Sequence, residues 1–333
     1  PMSLCTVFRR SSQEPARYPT LTPATWAAPL KYDRTHRDDN MVRVIPTSHI
    51  LDARIEGIDL LRPLEDAEFA LICEAFSAHG VLCFPGQDLA PGWHKAFAAR
   101  FGSLEVNVAA GTYTVPDHPE VMILSNVVEG GRAIGLEDAG QDWHTDLSYS
   151  RTIAFLNILH GIEIPTRDGQ PLGATKFADM CAAYDDLPGG LKRRIEGKTA
   201  THDFAKFWEL MRQKPGSTRE PLSTARQKRK PPVSRPIVLT HPINGRKLLY
   251  CNPGYTVHID GMAGHDSAGI LEDLFAHQLQ PKYRYCHDWT PGDVLAFDNF
   301  RTLHRAVADY HPSERRLLRR CQVMADQVFA TPP

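Results

Sequence analysis

Apolar side chains recur at Phe69, Ile72, Cys73 and Phe76 within residues 64–79. That i, i+3, i+4, i+7 spacing predicts a helix with one buried stripe. Gly80 stops it, and the unbroken apolar run Val81-Leu82-Cys83-Phe84 predicts a strand buried on both faces. Residues 91–101, opened by Pro91 and closed by Gly102, predict a second short helix, and residues 267–279 a third. Elsewhere strands dominate. His144 to Asp146 is expected at a strand end, followed by a β-branched and aromatic core strand to His160 with a turn near Ser150. A second strand-rich region spans residues 293–323. In its last strand, alternation sets Arg316, Leu318 and Arg320 on one face and Arg315, Leu317, Arg319 and Cys321 on the other.

Residues 1–40 are rich in Pro, Arg and Thr and read as an extension without chemistry of its own, so that residues 41–333 form a single domain. No internal repeat is evident. Within the domain, residues 212–235 carry Arg212, Lys214, Arg219, Arg226, Lys228, Arg229, Lys230 and Arg235 against one acid, Glu220, and are punctuated by four prolines. A solvated loop is the plainer reading of this basic insertion. The alternative is a lid-like flap that attracts an anionic substrate.

Composition narrows the class. A chain of 333 residues, 42% apolar with net charge −1, can bury a full core and lacks the overall positive charge of a nucleic-acid-binding protein. No run approaches the roughly 20 apolar residues that span a bilayer. The seven cysteines include no Cys-x-x-Cys pair and are odd in number, so free thiols in a reducing, cytoplasmic setting are expected. The N-terminal segment has no apolar stretch after its arginines and does not read as a secretory signal. The expected partner is a small anionic molecule, with no nucleic acid and no membrane; a homo-oligomer is left open.

Candidate chemistry starts from His-x-Asp, which occurs as His36-Arg37-Asp38, His144-Thr145-Asp146 and His258-Ile259-Asp260. The first sits in the polar N-terminal segment and the third in a turn-rich stretch near Pro253, Gly254 and Gly261. The second precedes a core strand, and a distant His304 completes a set of two histidines and one carboxylate. That set suits Fe(II) and leaves coordination positions open for a cosubstrate and O₂. The arginine strand adds a second expectation: a guanidinium facing an enclosed site is costly to bury unless it binds an anion, and its fork matches a carboxylate.

With these features the chain resembles the family of taurine dioxygenase and dichlorophenoxyacetate dioxygenase over about Met41 to Ala325. The carriers are Trp143-His144-Thr145-Asp146, Gly173-Ala174-Thr175 with Asp179-Met180 and Tyr184, Thr240-His241-Pro242, Gly245-Arg246, Asn252-Pro253, Trp289 with Gly292-Asp293, Asp298-Asn299, His304 and Arg315-Arg316. The resemblance implies a double-stranded β-helix of the jelly-roll kind with flanking helices. It implies Fe(II) held by His144, Asp146 and His304, and 2-oxoglutarate held through its distal carboxylate by Thr175 and Arg316. It places Arg320 near the substrate's anionic group, while Asn107, Tyr255 and Trp143 are expected to border the pocket. Asn107 stands where taurine enzymes carry a histidine, which weakens the case for taurine as substrate. The turn before Thr175 also departs from the family, with Leu172-Gly173-Ala174 where two glycines and a polar residue are usual, and the loop after His304 is about one residue longer.

The implied reaction is hydroxylation of a small carboxylate or sulfonate, coupled to decarboxylation of 2-oxoglutarate to succinate and CO₂. C–O, C–N or C–S cleavage follows where the hydroxylated product collapses. The alternatives are a non-catalytic metal-binding module and a Zn-dependent hydrolase using the same triad.

Overall fold

The computed structural model describes residues 42–106, 113–214, 217 and 219–326. The helix Asp66–His79 begins with a reciprocal capping box between Glu65 and Glu68 and ends at Gly80, whose φ of 70° is left-handed. It buries Phe69, Ile72, Cys73, Ala75 and Phe76, the stripe that the spacing predicts. Burial of each large side chain contributes roughly 1.5–3 kcal/mol. Phe69, Phe97 and Phe101 meet edge to face, with centroids 4.9 Å (Phe69–Phe101) and 5.4 Å (Phe97–Phe101) apart, which joins this helix to Pro91–Ala99.

Eight strands form the larger sheet. Their spatial order is Arg43–Pro46, Ala53–Glu56, Val81–Phe84, Val294–Asp298, Ala154–Glu163, Leu317–Met324, His118–Ser125 and Thr114–Val115. Ala154–Glu163 is central because its first eight residues are all buried, and it pairs antiparallel with Val294–Asp298 on one side and Leu317–Met324 on the other. A smaller sheet sets Thr175–Asp179 between Arg284–His287 and Thr302–Ala306. Phe177 of the smaller sheet packs with Leu159, Leu295, Phe297 and Leu318 of the larger, so the two layers share one apolar interior. This is the jelly roll expected from the resemblance.

Two expectations need correction. His144 is not in a regular strand: it makes a single bridge with His304, and the chain then turns through Leu147, whose φ is 55°. Regular pairing starts only at Ala154. The basic insertion is also more ordered than its pattern predicts. It contains the helix Thr224–Arg229, capped by Ser223, and the strand Val233–Pro236, which pairs with Thr199–His202.

A buried ionic turn connects the two layers. Arg301 donates to Asp179 through Nη2 at 2.7 Å and Nε at 3.1 Å, while the other Asp179 oxygen caps the helix Met180–Asp185. Asp298, on the same turn, accepts from the Phe300 and Arg301 amides and pairs with His241 at 2.8 Å. Removing one member of a buried ion pair leaves an uncompensated charge. Arg301→Met is therefore expected to destabilise the fold by about 3–5 kcal/mol in urea unfolding; a change below about 1 kcal/mol would show that the pair does not tie the layers together.

Candidate active site

Backbone hydrogen bonds bring the two distant histidines together. The His144 amide donates to the His304 carbonyl at 3.1 Å, and the His304 amide donates back at 2.9 Å. Their rings consequently lie 4.3 Å apart. Asp146 is held by a different residue: the Asn299 amide accepts from the Asp146 N–H at 3.0 Å and donates to the Asp146 carbonyl at 2.9 Å. Asn299 also donates to the Ala154 carbonyl, which ties the turn to the central strand. One ligand atom from each of His144, Asp146 and His304 falls within 4.8 Å of the others.

The electrostatics suit a divalent cation. Burial, reinforced by the neighbouring His144, pushes His304 down to about 3, so its imidazole is neutral and its lone pair available. Burial alone would raise the Asp146 carboxyl, but Arg320 and then the two histidines outweigh it and hold it far below the usual carboxylate range. Asp146 Oδ2 also accepts from Arg320 at 3.1 Å and from Gln322 at 3.0 Å, and Gln322 in turn donates to Asn157. The His144 Nδ1 hydrogen-bonds the Asp142 carbonyl at 2.7 Å, which leaves Nε2 to face Asp146. Two imidazoles and a carboxylate on one side of a cavity thus fit an Fe(II) centre with open positions.

The cavity encloses about 690 Å³ and contains, besides the triad, Thr175, Arg316, Arg320 and Tyr255 on its walls. Arg316 is buried, and its Nε and Nη2 donate to the Gly173 carbonyl at 3.2 and 2.9 Å. Burial pulls its guanidinium down, opposed mainly by Tyr310, whose ring lies 5.7 Å away. Among the described residues Arg316 makes no ion pair with a carboxylate. Gly173 adopts φ +74°, and a Cβ there would lie 2.4 Å from Arg316 Nε. The reshaped turn therefore works as a cradle for the guanidinium. Thr175 accepts from Trp289 Nε1 at 3.0 Å, so its own hydroxyl proton remains free for a cavity ligand.

Of the remaining predicted residues, Tyr255 lies on the wall, with its ring 6.1 Å from His144. Trp143 does not line the cavity: it is buried in the core, with Arg305 over its ring at 5.8 Å. Asn107 and His36-Arg37-Asp38 lie outside the described residues. Asp260, of the third His-x-Asp, bonds Thr199, Thr201 and Ser234 in a small sheet away from the cavity. Cys83, His287 and Asp293 also cluster within ligand range, but none lines the cavity, burial raises the Cys83 thiol, and Asp293 is engaged with the Thr290 amide.

Sequence reasoning missed Asn299 and Gln322 as parts of the site, and held the basic insertion at the cavity only as the alternative to a solvated loop. The motif Asp298-Asn299 pointed to the first without a role. Alternation could have added Gln322, two residues after Arg320. Arg219, Arg226, Arg229 and Lys230, all from the insertion, line the cavity.

Comparison with known proteins agrees with this geometry. Residues 44–322 match the family model described as taurine catabolism dioxygenase TauD, TfdA family. The chain is 32% identical over 293 residues to pentalenolactone F synthase of Streptomyces avermitilis, covering 85% of this chain and 93% of that protein. It is 32% identical over 296 residues to the alpha-ketoglutarate-dependent 2,4-dichlorophenoxyacetate dioxygenase of Cupriavidus pinatubonensis, covering 85% and 98%. A crystal structure of AAD-2 in complex with Mn(II) and N-oxalylglycine superimposes with TM-score 0.71 and 26% identity over 87% of this chain and all of that one. The chain belongs to the TauD/TfdA family and is a 2-oxoglutarate-dependent non-haem iron dioxygenase.

Proposed function

We propose that His144, Asp146 and His304 hold Fe(II), that Arg316 and Thr175 hold the distal carboxylate of 2-oxoglutarate, and that the rest of the cavity receives a small organic acid for hydroxylation. The single observation that carries this reading is the shared cavity, in which a triad of two imidazoles and a carboxylate and an arginine without a carboxylate partner among the described residues face the same space. The metal would supply O₂ activation driven by oxidative decarboxylation of 2-oxoglutarate to succinate and CO₂.

The chain's residues supply position and exclusion. Arg316 offers a planar pair of donors to a carboxylate, and Thr175, whose oxygen is already bonded to Trp289, offers its hydroxyl proton beside it. Arg320 fixes the outer oxygen of Asp146 and adds positive charge to the inner chamber. Leu159, Phe207, Tyr255 and Phe297 wall the space with carbon, which limits water near the reacting bond. A hydroxylated product bearing O, N or S on the attacked carbon would collapse and cleave that bond. A non-catalytic metal module or a zinc hydrolase would have no use for the Gly173 cradle or for a buried Arg316.

A cytoplasmic setting belongs to this proposal. Six described cysteines are free and five of them are buried, as suits a reducing compartment. Among the described residues no helix is long and apolar enough to cross a membrane.

Arg316→Ala should weaken 2-oxoglutarate by more than tenfold, since truncating one partner of a buried charge pair costs about 2–5 kcal/mol. Mn(II) binding, followed by calorimetry under anoxia, should be unchanged. Gly173→Ala should move in the same direction, because its Cβ would displace the guanidinium; unaltered cosubstrate affinity in both variants would remove the assignment. Asn299→Ala removes the clamp on the Asp146 backbone and is expected to weaken Mn(II) binding by roughly 10–100-fold, whereas full retention would show that Asp146 needs no clamp. The reaction itself is tested by oxygen uptake with Fe(II), 2-oxoglutarate and a panel of organic acids. Succinate should appear in step with O₂ loss, and its absence across the panel with metal and cosubstrate bound would contradict the proposed activity.

A further inference from the structure

The cavity's cations differ in how they are already occupied. Arg320 is bound to Asp146, and Arg219 is bidentate on Asp138 at 2.5 and 2.7 Å. Arg226, Arg229 and Lys230 stand apart. Arg226 and Arg229 lie three residues apart on the helix Thr224–Arg229 and Lys230 follows at its C-terminal cap; all three line the cavity, and among the described residues none forms a salt bridge.

Lys230 is the most exacting of the three. Its Nζ lies 4.5 Å over the Phe204 ring and 5.0 Å over the Tyr149 ring, with the Tyr149 hydroxyl at 3.5 Å. Glu105 is the described acid that acts on it through space, and Glu105 is itself shared with Arg320. Arg226 is held over Trp208 at 5.3 Å, next to Arg219 over the same ring at 4.7 Å. Ring faces orient these cations but do not neutralise them. A cluster of three positive charges on a cavity wall therefore has room for an anion.

An apolar stretch separates this cluster from the metal ligands. Tyr149 packs at a tilt against Tyr255 at 4.6 Å, and Tyr255 against Phe207 at 4.9 Å, whose ring lies 5.2 Å from His144. Resting on the proposed reaction, we infer that Arg226, Arg229 and Lys230 form an anion subsite for the substrate's carboxylate. The substrate is then an amphipathic acid: its apolar body lies along Tyr149, Tyr255 and Phe207, and the bond to be hydroxylated projects toward the triad. Compact acids, which would have to reach an Arg320 already paired with Asp146, are poor ligands.

The test uses the full chain loaded with Mn(II) and 2-oxoglutarate under anoxia, where no turnover occurs. Acetate, phenylacetate, 4-phenylbutyrate and decanoate are each titrated alongside their uncharged amides, with the fluorescence of Trp208 and its neighbours and calorimetry as readouts. Affinity should rise with the apolar body, and the larger acids should bind at least tenfold better than their amides. In the triple variant Arg226→Gln, Arg229→Gln, Lys230→Met that advantage should disappear, while Mn(II) and 2-oxoglutarate still bind as in the parent. The single variant Arg229→Gln, which removes the one member of the cluster with no ring contact among the described residues, should lose the advantage in part and guards against a misfolded triple variant. Acids bound no better than amides, no member of the series bound, or an acid preference that survives the triple variant would each overturn the subsite. Failure of the parent to bind Mn(II) and 2-oxoglutarate would instead strike the underlying reading of the triad and Arg316.

Discussion

The site depends on one pair of hydrogen bonds, the reciprocal exchange between the His144 and His304 backbones. Two segments that are remote in sequence meet at this bridge, which the Ala306 amide on the Gly140 carbonyl at 2.8 Å reinforces, and the pairing sets the two imidazoles side by side. The larger sheet supports it indirectly. Val294–Asp298 and Leu317–Met324 flank the central strand, so the turn that starts at Asp298 can emerge in only one place. Asn299 on that turn then grips the Asp146 backbone by both its donor and its acceptor. A side chain with both functions is needed there, and burial makes each unmet bond costly.

Charge is distributed by the same logic. Several cations near the site meet an acid, and others face the cavity. Arg301 meets Asp179, Arg320 meets Asp146 and Arg219 meets Asp138, whereas Arg316 faces the cavity against a carbonyl and a ring. The arginines that pair with acids build the walls, and the cations that face the interior without an acid, Arg316 among them, mark where anions belong. The triad, Arg316 and Arg320 thus border one chamber.

Much of this was legible in the chain. The helix Asp66–His79 follows from its stripe and from Gly80, and the face carrying Arg316 and Arg320 follows from alternation, because local periodicity is a direct consequence of backbone geometry. The triad was legible only in combination, since His-x-Asp occurs three times and only context and family resemblance chose among them. The turn at Asp146 was not legible: an i, i+2 pair reads as a strand, and nothing local announces that Asn299, far along the chain, holds it. Trp143 was misplaced for a related reason, as an aromatic beside a ligand packs into core or cavity according to neighbours that come from elsewhere. The basic insertion looked solvated because its counterparts, Asp138, Tyr149 and Phe204, come together with it only in three dimensions.

The most direct measurement is anomalous diffraction at the iron edge from crystals grown anaerobically with Fe(II). This account predicts one strong peak within bonding distance of an imidazole nitrogen from each of His144 and His304 and of an Asp146 carboxylate oxygen. A peak at Cys83, His287 and Asp293 instead, or two histidine rings too far apart to share an ion in iron-soaked crystals, would contradict it.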